Sequence, residues 1–392
     1  MSSDADTNSF SFSRKFFQNE KDCLSLHHFT EAYVVKLVDT LLSGGSASRR
    51  VGSSPIIRTF QSGGRIFGFF LFFFTFDFLN CISDMKIVFL DAATMGDVSF
   101  EPIEKLGELV CWRTSSREEA LERVKDCDVM IVNKIKVDKE LIDAAGSLKL
   151  ICEAATGVNN IDLGYAALKG IPVRNAVGYS TGSVVQTTFM IILSLVGKIR
   201  HFDDFVKTGE YSKNEIFTDA GKMFFELSGK NIGIIGMGNI GRRVAVVAEA
   251  FGMNVSYFST SGTSHCKDYP SVSLETLMKE SDIISVHAPY NERTAGLIGE
   301  RELTMMKRTA YIVNLGRGGI VDEAALAAAV DSDMIAGAGL DVFVKEPLPS
   351  DNPLMKVRNK EKLVLTPHIG WASLEARKRL VDITADNIRK GF

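Results

Sequence analysis

No excess of either charge marks this chain: 45 Lys and Arg stand against 48 Asp and Glu over 392 residues, a formal net charge of -3. That balance supplies no electrostatic footprint for nucleic acid or an anionic membrane surface, so neither is expected as a partner. Cysteine is scattered, at Cys23, Cys81, Cys111, Cys127, Cys152 and Cys266, without C-x-x-C pairs, and no His-x-His spacing accompanies it. Neither a disulfide framework nor a metal site is expected, and reduced thiols in a cytoplasmic protein are the simplest account. The longest apolar run, Ile66-Phe67-Gly68-Phe69-Phe70-Leu71-Phe72-Phe73-Phe74-Thr75-Phe76, is broken by Asp77 and reaches only to Leu79. It falls short of the roughly 20 residues a spanning helix needs, and it lies too far along the chain, without a small-residue cleavage pattern, for a signal peptide. No repeat of solenoid length is visible. What remains, 45% hydrophobic and 24% charged residues, suits two ordinary globular domains.

Residues 1–84 differ from the rest: polar Ser, Asn and Asp at the start, a Gly/Ser/Arg stretch over 43–65, then the Phe-rich run, with no helical or strand period. Val34-Val35-Lys36-Leu37-Val38-Asp39-Thr40 and Gly52-Ser53-Ser54-Pro55 resemble conceptual translations of the D-arm and T-arm of a transfer-RNA gene. Met85-Lys86-Ile87-Val88-Phe89-Leu90-Asp91 reads as a natural start entering a first strand. The expectation is a start-site misassignment, with 1–84 disordered or absent from the mature protein. The genomic nucleotide sequence tests it: coding for 34–55 unlike a transfer-RNA gene refutes it.

From residue 85 onward, short apolar runs over 86–90, 128–133 and 148–152 alternate with helical patterns over 116–124 and 138–145. Such spacing predicts a parallel sheet covered on both faces. The segment 171–175 closes this part, with Pro172 suited to a strand edge. An apolar pattern almost all round over 180–199 predicts a buried helix connecting two lobes. After a polar, irregular segment over 208–225, a second series has strands expected over 231–235, 254–258, 282–287, 310–314, 334–340 and 362–365. Six is the count of a full dinucleotide-binding domain. The amphipathic pattern over 372–390 is expected to fold back on the first lobe. The fold expected is α/β, two doubly wound parallel-sheet domains with a cleft between them: a flavodoxin-like substrate domain (85–182 with 370–392) and a Rossmann-type cofactor domain (183–369).

The turn Gly236-Met237-Gly238-Asn239-Ile240-Gly241 joins an expected strand to an expected helix. Gly236 allows the sharp turn, Gly238 lets backbone approach a pyrophosphate, and Gly241 lets helix pack closely on strand. Free N–H groups at the helix start, with Asn239 and Ile240 among its first residues, receive the phosphate charge. Three further segments sit at strand ends, where open α/β sheets place ligands. Asn314-Leu315-Gly316-Arg317-Gly318-Gly319 holds a guanidinium that can grip a carboxylate through its fork and polarise a neighbouring carbonyl. Gly339-Leu340-Asp341-Val342-Phe343-Val344-Lys345-Glu346-Pro347 carries two carboxylates, and Leu365-Thr366-Pro367-His368-Ile369-Gly370-Trp371 a histidine. An imidazole can pass a proton to a forming alkoxide while a carboxylate behind it orients the ring. Of the other histidines, His27 and His28 fall in the doubtful extension, His201 and His265 lie in polar surroundings, and His287, with Pro289, is a candidate to line the cofactor pocket.

With these motifs in order, the chain from Met85 to Phe392 resembles the D-isomer-specific 2-hydroxyacid dehydrogenases over essentially its whole length. Arg317, Glu346 and His368 match that family's Arg, Glu and His. The resemblance implies hydride transfer between a nicotinamide and C2 of a 2-keto acid, with His368 as acid/base, Glu346 keeping it charged and Arg317 holding the substrate. It implies that Asp341 lies near the nicotinamide carboxamide. It implies too that backbone amides of Thr156, Gly157 and Val158, within Ala154-Ala155-Thr156-Gly157-Val158-Asn159-Asn160-Ile161-Asp162, cover the substrate carboxylate; many members have Asp where this chain has Asn159. This segment, with Asn175-Ala176-Val177-Gly178-Tyr179-Ser180-Thr181 and Leu90-Asp91-Ala92-Ala93-Thr94-Met95-Gly96, most resembles glycerate dehydrogenases, also called hydroxypyruvate reductases, so hydroxypyruvate or glyoxylate leads as substrate. Ser259 and Thr260 stand where NAD-specific members carry an Asp for the ribose. That removes a repulsion against a 2′-phosphate but supplies no Arg, leaving Lys267 the nearest cation; NAD is the expected cofactor, with NADP open. A homodimer is implied. Phosphoglycerate dehydrogenase, formate dehydrogenase and a non-catalytic NAD-binding corepressor-like scaffold are the alternatives. The first often carries a C-terminal regulatory domain that finds no place after His368, and the second uses Gln where Glu346 stands.

Overall fold

The computed structural model describes residues 85–391; the transfer-RNA-like segments and the Phe-rich run lie outside them. The first lobe is a five-stranded parallel sheet of β1 (Lys86–Phe89), β2 (Glu108–Cys111), β3 (Val129–Val132), β4 (Leu150–Glu153) and β5 (Val173–Asn175), in the order β2-β1-β3-β4-β5. Every residue of β3 and β4 is buried, which is why β3 and the first three residues of β4 read as apolar runs. The strand β2 has no counterpart in the sequence reading. It is an edge strand with Glu108 and Cys111 exposed and Leu109 and Val110 half-buried, so it shows neither an apolar run nor an alternation.

The second lobe contains β6 (Asn231–Ile235), β7 (Asn254–Phe258), β8 (Ile283–Val286), β9 (Tyr311–Asn314), β10 (Gly337–Leu340) and β11 (Leu363–Leu365), all parallel, in the order β11-β10-β9-β8-β6-β7. An isolated parallel bridge pairs Tyr257 of β7 with Ser271. Counting that bridge as a vestigial third strand restores the 3-2-1-4-5-6 order of dinucleotide-binding sheets, with β11 added at the far edge. The six strands read from sequence are present, but one of them is the extra edge strand. The reversal of strand order falls between β6 and β8, where such sheets open a crevice for ligand.

Helix starts follow side-chain caps. Ser116 and Glu119 form a capping box ahead of Arg117–Arg123, and Asp138, Asp322 and Ser373 each accept an N–H from the first turn of their helices. The helix Thr181–Val196 packs on the second sheet so closely that a Cβ on Gly339 would stand 2.1 Å from Ile191 Cγ2. It departs from the sequence reading twice. Gln186, Met190 and Leu193 leave one stripe exposed, and the helix stops at Val196. Lys198, at φ 52°, then turns the chain by 64° into a separate helix, Ile199–Lys207, which the sequence reading lacked. No single described helix is long and apolar enough to cross a membrane. The helix Leu374–Arg389 returns to the first lobe: Ala376, Leu380, Val381, Ala385 and Ile388 share a core with Ile87, Phe89, Ile131 and Leu150.

Candidate active site

The glycine turn after β6 has the shape a dinucleotide pyrophosphate needs. Gly236 sits at φ 93°, where a Cβ would lie 2.9 Å from the Ala288 nitrogen, and a Cβ on Gly241 would stand 2.2 Å from Gly236 O. Around the Cβ position of Gly238, by contrast, no atom lies within 4 Å. Close packing on two sides and open space on the third leave the N-terminus of the helix Asn239–Ala250 approachable, so these residues fit a nicotinamide dinucleotide.

Three loops converge beside it. After β9, Asn314 folds the turn by accepting Gly316 N–H at 3.0 Å and donating to Arg317 O at 3.0 Å. Arg317 is half-buried, donates to Gly316 O at 2.9 Å, and makes no ion pair among the described residues. Its guanidinium faces the first lobe, since a Cβ on Gly157 would come within 2.9 Å of Arg317 Nη2. The loop after β10 lies against the same turn: a Cβ on Gly318 would overlap Phe343 O at 1.9 Å. Phe343 N–H donates to Glu346 Oε1 at 3.0 Å, and His368 Nδ1 donates to Glu346 Oε2 at 2.7 Å. Burial opposes ionisation of Glu346, but the hydrogen bond and charge of His368, with the Phe343 N–H, hold its carboxyl below the ordinary range. Lys134, from the loop after β3, adds its charge from the first lobe.

His368 has a left-handed backbone, φ 54°, uncommon outside glycine. Asp341 holds that turn in place. Oδ1 accepts from Thr366 Oγ1 at 2.6 Å and Ile369 N–H at 2.8 Å, and Oδ2 accepts from Gly370 N–H at 2.7 Å. The carboxylate is 2% exposed, and burial raises its pKa. Its oxygens are engaged by the His368 turn.

Across the cleft, Thr156 Oγ1 donates to Ala176 O at 2.9 Å and Asn175 Nδ2 to Thr156 O at 2.7 Å, which pins the loop. Among the described residues no acceptor takes the backbone N–H of Gly157 or Val158. Tyr179, close enough to feel the Arg317 charge, sets its ring edge against Trp371 at 6.4 Å and 69°. Behind the loop lies Glu153, 1% exposed, which accepts from Asn160 Nδ2 at 2.9 Å while its Oε1 has no partner; burial pushes its pKa up to about 8. Lys134 and Glu153 escaped the sequence reading, though Glu153 ends the buried β4 and Lys134 stands two residues past the end of the buried β3, where a strand-end rule could have found them.

The other residues expected at the cofactor site lie just after β7 and β8. Ser285 Oγ bonds His287 Nε2 at 2.8 Å, and Nδ1 is enclosed without a partner. Burial drives the His287 pKa down to about 3, so the ring is neutral and brings no charge to a phosphate. Pro289 is exposed beside it, its carbonyl accepting from Thr294 Oγ1 at 2.6 Å. Ser259 Oγ donates to Thr263 O at 2.7 Å and Thr260 is half-buried. Lys267 is exposed; the cations that reach this loop are Arg242 and Arg293.

Residues 189–370 match the family model described as "D-isomer specific 2-hydroxyacid dehydrogenase, NAD binding domain". The chain is 35% identical over 313 residues to a hydroxypyruvate reductase of Blautia hydrogenotrophica, covering 78% of this chain and 96% of that one. It is 39% identical over 295 residues to a glyoxylate reductase of Thermococcus litoralis, covering 73% and 88%. Its fold matches the crystal structure of D-lactate dehydrogenase from Aquifex aeolicus complexed with NAD and lactic acid at a TM-score of 0.68, with 30% identity over 78% of this chain and 94% of that one.

Proposed function

The chain belongs to the D-isomer-specific 2-hydroxyacid dehydrogenases, NAD(P)-dependent oxidoreductases, and from that premise we propose that Arg317, Glu346 and His368 are its catalytic residues and hydroxypyruvate or glyoxylate its substrate. The observation that carries the proposal is the Glu346–His368 bond of 2.7 Å in loops that also touch the Arg317 turn, whose guanidinium faces the Gly157 loop. Arg317 grips the carboxylate and the keto oxygen of the substrate through its fork, and the free N–H groups of Gly157 and Val158 take the other face of the carboxylate. His368, fixed through Nδ1, presents Nε2–H to the keto oxygen and gives up that proton as the oxygen becomes a hydroxyl. Glu346 stays ionised throughout and stabilises the imidazolium before transfer. A nicotinamide dinucleotide, when bound at the glycine turn in its reduced form, would supply the hydride that C2 receives. Asp341 positions the His368 turn from beneath.

In this reading 85–182 with 370–392 form the substrate lobe and 183–369 the coenzyme lobe. A homodimer is supported by the largely apolar groove between Thr181–Val196 and Asn239–Ala250, where Met190 and Leu193 are 47% and 42% exposed. A cytoplasmic setting accords with the free thiols of Cys111, Cys127, Cys152 and Cys266. The test is steady-state reduction of hydroxypyruvate, glyoxylate and other short 2-keto acids by purified protein, followed through coenzyme absorbance. Turnover on the order of 1 per second or faster on either of the first two supports the proposal. Tight coenzyme binding without turnover on any 2-keto acid overturns it in favour of a scaffold.

A further inference from the structure

At the C-terminal end of β7, where a dinucleotide fold meets the adenosine ribose, the chain has built a loop with no acidic residue from Ser259 to Lys267. Two guanidiniums from distant parts of the sequence converge on it. Arg293 Nη1 donates to Ser261 O at 2.7 Å and lies 3.5 Å from the Cβ position of Gly262. Arg242, in the first turn of the helix that follows the glycine turn, donates through Nη2 to His265 O at 3.2 Å. Each donates one hydrogen bond to protein, and neither has a carboxylate partner among the described residues. A guanidinium carries five N–H donors, so both keep most of theirs for an anion. The loop folds upon itself, with Ser259 Oγ donating to Thr263 O at 2.7 Å and standing 3.1 Å from Ser261 Oγ, so hydroxyls rather than a carboxylate line the place of the ribose.

Resting on the reading above that the second lobe holds a nicotinamide dinucleotide, we infer that Arg293, Arg242 and the hydroxyls of 259–263 form a subsite for a 2′-phosphate, so the chain binds NADPH in preference to NADH. An Asp at the end of this strand accepts both ribose hydroxyls and repels a phosphate. Here the acceptor is gone, and two guanidiniums donate to the loop that follows the strand. Cations that otherwise hold only loop carbonyls gain a dianion, while a plain ribose gains nothing from them.

The experiment is calorimetric titration of the full chain with 2′,5′-ADP and with 5′-AMP, which differ only by the phosphate in question and need no turnover. The expected result is about tenfold or more tighter binding of 2′,5′-ADP, weakening as salt rises. Arg293→Ala lowers 2′,5′-ADP affinity by about tenfold and 5′-AMP affinity far less, and Ser259→Asp, which replaces a subsite hydroxyl by a carboxylate that repels phosphate and accepts the ribose hydroxyls, reverses the preference. Equal affinities for the two nucleotides, or a preference that survives both Arg293→Ala and Arg242→Ala, overturn the subsite while leaving the dinucleotide reading intact. Failure to bind either nucleotide or either reduced coenzyme overturns both.

Discussion

Replacing Glu346 by Gln removes a charge from the acid–base pair while keeping its shape. His368 Nδ1 donates to Glu346 Oε2 at 2.7 Å, and the two side chains are 23% and 29% exposed. A hydrogen bond to a charged group is worth roughly 1.5–3 kcal/mol, and partial exposure to water places this one at the lower end. About 1.5 kcal/mol corresponds to roughly tenfold in rate. The sign follows from Glu346 itself: its carboxyl is held below the ordinary range, so the charge is present at neutral pH and is lost only as pH falls through that lowered value. An amide instead donates to Nδ1 of the neutral ring and favours the wrong form for reduction. For 2-keto acid reduction, kcat/KM is therefore about tenfold lower in Glu346→Gln at neutral pH, and the difference shrinks as pH falls through the lowered Glu346 value, where wild type loses the same charge. The assay is kcat/KM against pH with coenzyme saturating, for wild type and variant. A loss equal at every pH means Glu346 acts through position alone, and an unchanged profile removes it from the mechanism; either result refutes the argument.

Arg317→Lys keeps the charge but replaces a fork facing Gly157 with a single point, and kcat/KM for the keto acid is expected to fall about 100-fold with coenzyme affinity unchanged. Steady-state kinetics beside coenzyme titration checks this, and a loss under threefold or so would show that charge alone suffices. Glu153 is neutral in the fold because burial pushes its pKa up to about 8, whereas the unfolded chain ionises it near the usual carboxylate value. Stability is therefore lost as pH rises between those values, and Glu153→Gln, which cannot ionise, is more stable than wild type at pH 8 by on the order of 4 kcal/mol and melts close to wild type near pH 5. Thermal melts at the two pH values decide it, and equal slopes in both proteins contradict the buried-acid assignment.

The local features of this chain were readable because they depend on neighbours in sequence. Gly241 is required by a contact with Gly236 O inside one strand–turn–helix unit and Gly236 by the positive φ of its own turn, so their spacing conveyed the shape, although the Ala288 backbone also crowds Gly236. Buried β3 and β4 announce themselves as apolar runs, while β2 at the edge, half wet, has no such signature. The third strand of the coenzyme sheet survives as one bridge at Ser271, too short to carry a period. Met190 and Leu193 look like core in sequence and are exposed in the folded chain, because hydropathy does not say which flank a neighbouring helix covers.

By itself the amino-acid order determined the alternation of strands and helices, the glycine turn, and the candidate groups Arg317, Glu346 and His368, since period and strand-end position are properties of short segments. Tertiary structure decided the partners: that Asp341 spends both oxygens beneath the His368 turn, that Arg317 faces Gly157 across the cleft, and that Arg293, 32 positions from Ser261, arrives at the loop the sequence left without an arginine. Each depends on where loops from different strands come to rest once two sheets have packed, and no window along the chain contains that information.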